Sequence, residues 1–246
     1  MQNTGRYQGL RESARDLLGM ELSPEQLEAF EWYAAELGDW NQRFNLTAIT
    51  EPLDIEVKHF LDSLTAMLGM QNDPDGRLVD VGTGAGFPGL PLRIVNPNLK
   101  VTLVESTSKK VEFCRHIIEG LELRDVQVRD IRVERLAHEE GQRESYRWGV
   151  ARAVASLDVL VEYVLPLLEL GGRMIAMKGE TGPAEAQAAD PAVQLLGGRT
   201  ERLIPVELPT VAETRYLVLI DKVSRTPESY PRRVGVPAKR PLGEGD

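Results

Sequence analysis

The chain has 246 residues, and 38 acidic against 29 basic side chains leave a formal net charge of −9 at pH 7. That excludes a protein that coats nucleic acid non-specifically, while leaving room for a local basic patch. Hydrophobic residues make up 42% and charged residues 27%, enough to build a sizeable core and to exclude wholesale disorder.

Residues 1 to about 70 read as helices. The stretch LSPEQLEAFEWYAAELGDW (22–40) offers Ser23 as N-cap and Pro24 at the first helical position. Its Leu27, Phe30, Tyr33, Ala34 and Leu37 fall at helical spacing. A second helix is expected over 54–68, with Ile55, Phe60, Leu61, Leu64 and Leu68 turned inward. The segment between them, NQRFNLTAITEP, has turn chemistry. There Asn41, Arg43, Asn45 and Thr47, beside Trp40 and Phe44, suit either the reading of single-stranded RNA or the capping of two helices.

From about residue 77 the pattern alternates. Strands are expected at 77–82, 100–106, 125–130, 147–155 and 173–179, with helices through 90–95, 108–121 and 157–168. Each parallel return needs a crossover, so this alternation implies a mostly parallel sheet with helices on both faces. The end differs, because strands at 201–208 and 215–223 are separated only by PTVAET. With no room for a crossover helix they pair antiparallel. Seven strands closing in an antiparallel hairpin make an α/β, Rossmann-like class I methyltransferase arrangement, not the end of a two-half dinucleotide-binding fold. The expected division is a helical extension over 1–72, the sheet domain over 73–228, and a basic, proline-rich tail over 229–246.

The loop after the first strand, LVDVGTGAGFPGLPLR (78–93), holds two overlapping glycine frames. One is G-x-G-x-G over Gly82, Gly84 and Gly86; the other is G-x-G-x-x-G ending at Gly89. Pro88 and Pro91 keep the helix from beginning before Phe87, so the second frame would open two residues past the strand end. The first opens at the strand end and carries Asp80 two residues earlier. A carboxylate there suits a ligand with a cationic amino-acid moiety and sits poorly beside a pyrophosphate. The frame therefore favours S-adenosylmethionine, with Gly82 and Gly84 as candidate contacts. Glu105 ends the second strand, where an acidic side chain can accept both ribose hydroxyls of an adenosine. Asp130 and Glu134 follow the third strand, where adenine would lie.

The fourth strand leads into ARAVASLD (151–158), without the proline and aromatic loop used by enzymes that methylate exocyclic amines. The single cysteine, Cys114, sits on an apolar helix face, and so offers no nucleophile for carbon-5 methylation of a pyrimidine. It also leaves no intrachain disulfide and no cysteine-rich metal centre. Guanine N7 needs neither device: its lone pair is free, no base is required, and direct in-line transfer can rest on positioning. No catalytic acid, base or nucleophile is expected, and the scattered His59, His116 and His138 suggest no metal. Arg152, charged among apolar neighbours, is open to cofactor, substrate or a structural ion pair. The tail SYPRRVGVPAKRPL (229–242) spaces Arg232, Arg233, Lys239 and Arg240 along a proline-stiffened chain, a pattern suited to a phosphate backbone or to a solvated terminus. The start lacks an apolar signal core and no run of about 18 apolar residues occurs, so a soluble, cytoplasmic protein is expected.

Taken together, NLT (45–47), KHFLDSL (58–64), VDVGTGAGFPGLPL (79–92), LVESTSKKVEF (103–113), ARAVA (151–155), MKG (177–179) and PRRVGVPAKRPL (231–242) resemble one family. It is the bacterial glucose-inhibited division protein B family, also called RsmG. The resemblance runs in the family's order over nearly the whole chain. It implies an S-adenosylmethionine-dependent methyltransferase acting on guanine N7 in 16S ribosomal RNA. It also implies cofactor contacts at Gly82, Phe87, Glu105, Ser106, Thr107, Val133, Glu134 and Arg152, and substrate-side roles for His59, Asp62 and the tail cations Arg232, Arg233 and Lys239. The expected partner is 16S RNA or the small ribosomal subunit, with no membrane, and the protein is expected to act as a monomer. Two other readings stay open: a small-molecule methyltransferase on the same fold, and a cofactor-independent RNA-binding or ribosome-assembly factor.

Overall fold

The computed structural model describes residues 7–70 and 74–243, so the expected boundary at residues 72 and 73 lies outside the described residues. Strands β1 (Gly76–Val81), β2 (Leu99–Glu105), β3 (Val126–Asp130), β4 (Tyr146–Arg152), β5 (Leu168–Lys178), β6 (Gly198–Val206) and β7 (Arg215–Lys222) form one sheet. Their order is β3-β2-β1-β4-β5-β7-β6. The first five run parallel, while β7 pairs antiparallel with both β5 and β6, as the short connection requires. Strand β4 stops at Arg152, earlier than the expected 155, because Ala153 turns the chain with φ 54°.

The helices are α1 (Gln8–Leu18), α2 (Pro24–Phe44), α3 (Gly89–Val95), α4 (Ser108–Gly120), α5 (Val133–Leu136), α6 (Leu157–Val164), α7 (Gly182–Leu195) and α8 (Val236–Lys239). Helix α2 opens with a capping box, in which Ser23 and Gln26 each satisfy the other's backbone N–H. Helix α7 has no counterpart among the elements expected from the sequence, and it holds Pro191, ordinarily a helix breaker, in its interior. It forms because Ala186, Ala189, Ala192 and Val193 bury a small-residue face against the sheet. The helix expected over 54–68 is helical from Pro52 to Gly69, but Ile55–Leu61 is π-helical and Thr65–Gly69 is 3₁₀. The helical extension and one sheet face share a single core, with Phe30, Tyr33, Phe60 and Leu64 against Leu78, Leu103 and Ile175. On the other face α6 and α7 pack, joined by Leu242 from the tail. Among the described residues no helix is long and apolar enough to cross a membrane.

The extension is locked to the glycine loop by stacked rings. Phe87 lies between Tyr33 and His59, with centroids 5.3 Å and 4.4 Å away and planes within 5°. The Tyr33 hydroxyl donates to the Ala85 carbonyl at 2.5 Å. From the end of β4, Arg152 donates to the Lys58 carbonyl at 3.0 Å and to Asp62 Oδ2 at 2.7 Å, and its Nη2 lies 3.2 Å from His59 Nδ1. A guanidinium only donates, so Nδ1 accepts and Nε2 carries the ring proton, which it gives to Thr47 Oγ1 at 2.9 Å. Asn41 in turn holds both backbone groups of Thr47. The capping alternative for this segment therefore describes Asn41 and Thr47. Burial, reinforced by the Arg152 charge, pushes the His59 pKa down to about 3.

The tail is not an extended, solvated strand. Arg232 grips the fully buried Glu162 carboxylate through its backbone N–H (2.7 Å), Nε (2.9 Å) and Nη2 (2.6 Å). Gly235 donates to Glu134 Oε1 at 2.9 Å, and His138 Nε2 lies 3.0 Å from the Pro231 carbonyl. Pro231, Pro237 and Leu242 are buried. Apolar anchors and a desolvated ion pair thus fold a stretch whose composition reads as solvated.

Two outcomes are expected. Above pH 6.5 the His59 ring is neutral in both folded and unfolded chains; as pH falls toward about 3 only the unfolded chain takes up the proton, so stability is lost. The difference in unfolding free energy between wild type and His59→Gln should accordingly slope through that window by up to about 1.4 kcal/mol per pH unit, as read from denaturant midpoints. Arg232→Ala should cost about 3–5 kcal/mol in urea unfolding, because Glu162 is left buried and unpaired, and adding Glu162→Gln should recover part of it.

Candidate active site

A cavity of about 310 Å³ opens at the carboxyl ends of β1 to β4, lined among others by Gly82, Glu105, Ser106, Thr107, Val133 and Glu134. Gly82, Gly84 and Gly86 have φ values of 69°, 60° and 96°, the left-handed region that favours glycine. A Cβ on Gly82 would also fall 2.6 Å from Val154 Cγ2. Gly89 has no such backbone need. It is a packing glycine, whose Cβ would meet Leu103 Cδ2 at 2.5 Å and Asp80 Oδ2 at 2.8 Å. The backbone thus obeys the first glycine frame.

Asp80 corrects one expectation, since its carboxylate does not face the cavity. It is fully buried beneath the loop, where Oδ2 accepts from Thr83 Oγ1 at 2.6 Å and from the Gly89 N–H at 2.8 Å. Oδ1 has no partner among the described residues. Burial raises the Asp80 pKa to about 6 despite those hydrogen bonds. Its work is to tie the loop to the start of α3.

Glu105 is held ready. Its Oε2 accepts from the Gly84 N–H at 3.1 Å, and Oε1 accepts from the Ser106 and Thr107 N–H groups at 2.8 Å each. These amides orient the carboxylate and leave part of its acceptor capacity for a diol. Gly84 serves the site through this amide. Phe87 stands in the ring stack and not in the cavity lining, and Glu134 lines the cavity while its Oε1 holds the tail.

A second cavity, of about 400 Å³, lies between the extension and the ends of β4, β5 and β7. Lys58, His59, Asp62, Arg152, Lys178 and Arg215 line it, and Ala153 lines both it and the first cavity. His59, Asp62 and Arg152, placed far apart by the sequence, therefore meet on one wall. Lys178 donates to the Ala155 carbonyl at 2.6 Å and pairs with Glu185 at 2.7 Å. Arg215 escaped the sequence reading, since a cation opening a strand looks solvated. In the structure its Nε is buried and has no hydrogen-bond partner among the described residues. A third cavity, of about 560 Å³, is lined by Glu134, Arg135, His138, Arg232 and Arg233, while Lys239 is exposed at the end of α8.

With this geometry in hand, comparison with known proteins is specific. The family model for GidB, rRNA small subunit methyltransferase G, matches residues 26–210. The ribosomal RNA small subunit methyltransferase G of Roseiflexus castenholzii is 50% identical over 224 residues, covering 91% of this chain and 95% of that protein. Its counterpart in Chloroflexus aggregans is 47% identical over 239 residues, covering 97% of this chain and 100% of that protein. Among solved structures, a SAM-dependent O-methyltransferase from Thermotoga maritima superposes with a TM-score of 0.51 at 21% identity, over 78% of this chain and 73% of that one. A SAM-dependent methyltransferase from Aquifex aeolicus gives 0.52 at 15% identity, over 69% and 93%. These two show the class I methyltransferase fold alone, whereas the matches along the sequence are far closer. On them, the chain belongs to the GidB family, the rRNA small subunit methyltransferase G proteins.

Proposed function

We propose that the protein methylates N7 of a guanine in 16S ribosomal RNA, using S-adenosylmethionine as methyl donor. The observation that carries this reading is the pair of cavities that share Ala153 as a wall, one with Glu105 preset as an acceptor, the other lined by cations. The residues present fit S-adenosylmethionine: Glu105 suits the ribose hydroxyls, Gly82 admits a close backbone approach, and Val133 with Glu134 borders the adenine end. When bound, the cofactor supplies a methyl group on a positively charged sulfur.

The chain's own residues need only place the base. Guanine N7 carries a lone pair and no proton, so nothing must be deprotonated. Arg215, with its unpartnered Nε, and Lys178 stand at the second cavity as donors for the guanine O6 edge or its phosphate. Arg152 holds His59 and Asp62 on the facing wall, so these two shape the cleft through a network already satisfied. The Cys114 thiol is buried, pushed up in pKa by that burial, and donates to the Gly84 carbonyl; it is not placed as a nucleophile. We place the protein in the cytoplasm, acting as a monomer on 16S RNA or the small subunit.

Purified protein is expected to transfer labelled methyl to 16S RNA from cells lacking the enzyme, at a guanine that chain cleavage specific for N7-methylguanine locates. Binding S-adenosylmethionine no better than NAD in calorimetry would sink the reading. Glu105→Ala should weaken S-adenosylmethionine binding by about 10- to 100-fold, since hydrogen bonds to a charged acceptor contribute about 1.5–3 kcal/mol. Arg215→Ala should leave cofactor affinity within about twofold and lower kcat/KM for RNA by at least about 10-fold.

A further inference from the structure

The third cavity, between α5 and the tail, adjoins the cofactor cavity, because Glu134 lines both. Its floor is fixed from below. Arg232 is committed to Glu162 and to the Arg240 carbonyl, and Gly235 is committed to Glu134. Its rim is different. Arg135 on α5 and Arg233 on the tail are exposed, and neither side chain has a hydrogen bond or ion pair among the described residues. Neighbouring arginines in the sequence thus have opposite fates: Arg232 points into the protein as an anchor and Arg233 is held out over the cavity. In a chain with a net charge of −9, two unpaired guanidinium groups converging on one concavity set a local positive field on an acidic body.

We propose that this groove seats a phosphate of the RNA strand flanking the target nucleotide, with Arg135 and Arg233 as the contacts. The inference rests on RNA being the substrate. Guanidinium forks suit phosphate oxygens in two-point contacts. The three cavities are also linked by shared walls, the cleft to the cofactor cavity at Ala153 and the cofactor cavity to the groove at Glu134. On this proposal, the strand that delivers a guanine to the cleft continues past the cofactor cavity to the adjoining groove. Such a contact adds affinity without reading sequence.

The test is binding of transcribed 16S RNA by the full-length protein across a salt series, for wild type and for Arg135→Gln with Arg233→Gln, singly and together. The double variant should bind about 10-fold more weakly at low salt, and the slope of log affinity against log salt should shrink by about one to two. S-adenosylmethionine affinity, measured by calorimetry on the same samples, should not move. An unchanged slope overturns the proposal, and so does a parallel loss of cofactor affinity, which would mean that the variants act by distorting the neighbouring cavity. Should the double variant misfold, the single variants at these exposed positions carry the same test, each with a slope change of about one. Inorganic phosphate serves as the second probe: displacement of RNA by millimolar phosphate with no dependence of RNA affinity on either arginine also overturns it. Methylation by wild type with an RNA KM indifferent to both arginines would defeat the groove alone. RNA binding that depends on them without methylation would defeat the proposed reaction alone.

Discussion

The whole arrangement hangs on the guanidinium of Arg152. It leaves the sheet at the end of β4 and enters the helical extension, where the Lys58 carbonyl, the Asp62 carboxylate and the His59 ring receive it. The side chains of Arg152 and Asp62 are each 13% exposed, so a shift of the extension would leave a largely desolvated charge without partners. That penalty sets where the extension can sit. The residue that follows, Ala153, turns the chain sharply and becomes the wall between two cavities. One cation therefore places both the helices that roof the cleft and the partition where two reactants would meet.

The π-helical turn at Ile55–Leu61 carries Lys58 and His59, Asp62 follows it directly, and wide turns of this kind recur at functional sites. Phe87 transmits the same constraint to the glycine loop. It stacks on His59 on one side and on Tyr33 on the other, with Arg152 5.2 Å above its ring. From beneath, the buried Asp80 grips Thr83 and Gly89. The loop is thus held by the extension from one side and by the sheet from the other, and Glu105 is already oriented by its amides. A cavity formed in advance loses less free energy to ordering when a ligand arrives.

The cations divide into two kinds by their partners. Arg152 and Arg232 face buried carboxylates and build the protein. Arg215, Arg135 and Arg233 line cavities, with guanidinium atoms that have no partner among the described residues. Composition alone counts them together within a net charge of −9. The second kind leaves donors open for an anionic or carbonyl-bearing ligand.

By itself the amino-acid sequence determined everything that local chemistry encodes: strand and helix alternation, the closing hairpin, the left-handed glycines after β1 and the carboxylate at the end of β2. Each follows from a few adjacent residues, because a period of two or of 3.6, a proline or a short connection acts within its own segment. The overlap of two glycine frames was resolvable on the same ground, from the strand end, the two prolines and the closing antiparallel hairpin. What the tertiary structure decided were the partnerships across the chain. Asp80 turned under the loop, Phe87 entered a ring stack, α7 formed over Pro191, and Arg232 docked on Glu162 while Arg233 stayed outside. Glu162 lies 70 residues from Arg232 in the chain, and His59 lies 93 from Arg152. No local pattern marks such pairs, because the energy that selects them is desolvation, which exists only once the two segments have been brought together.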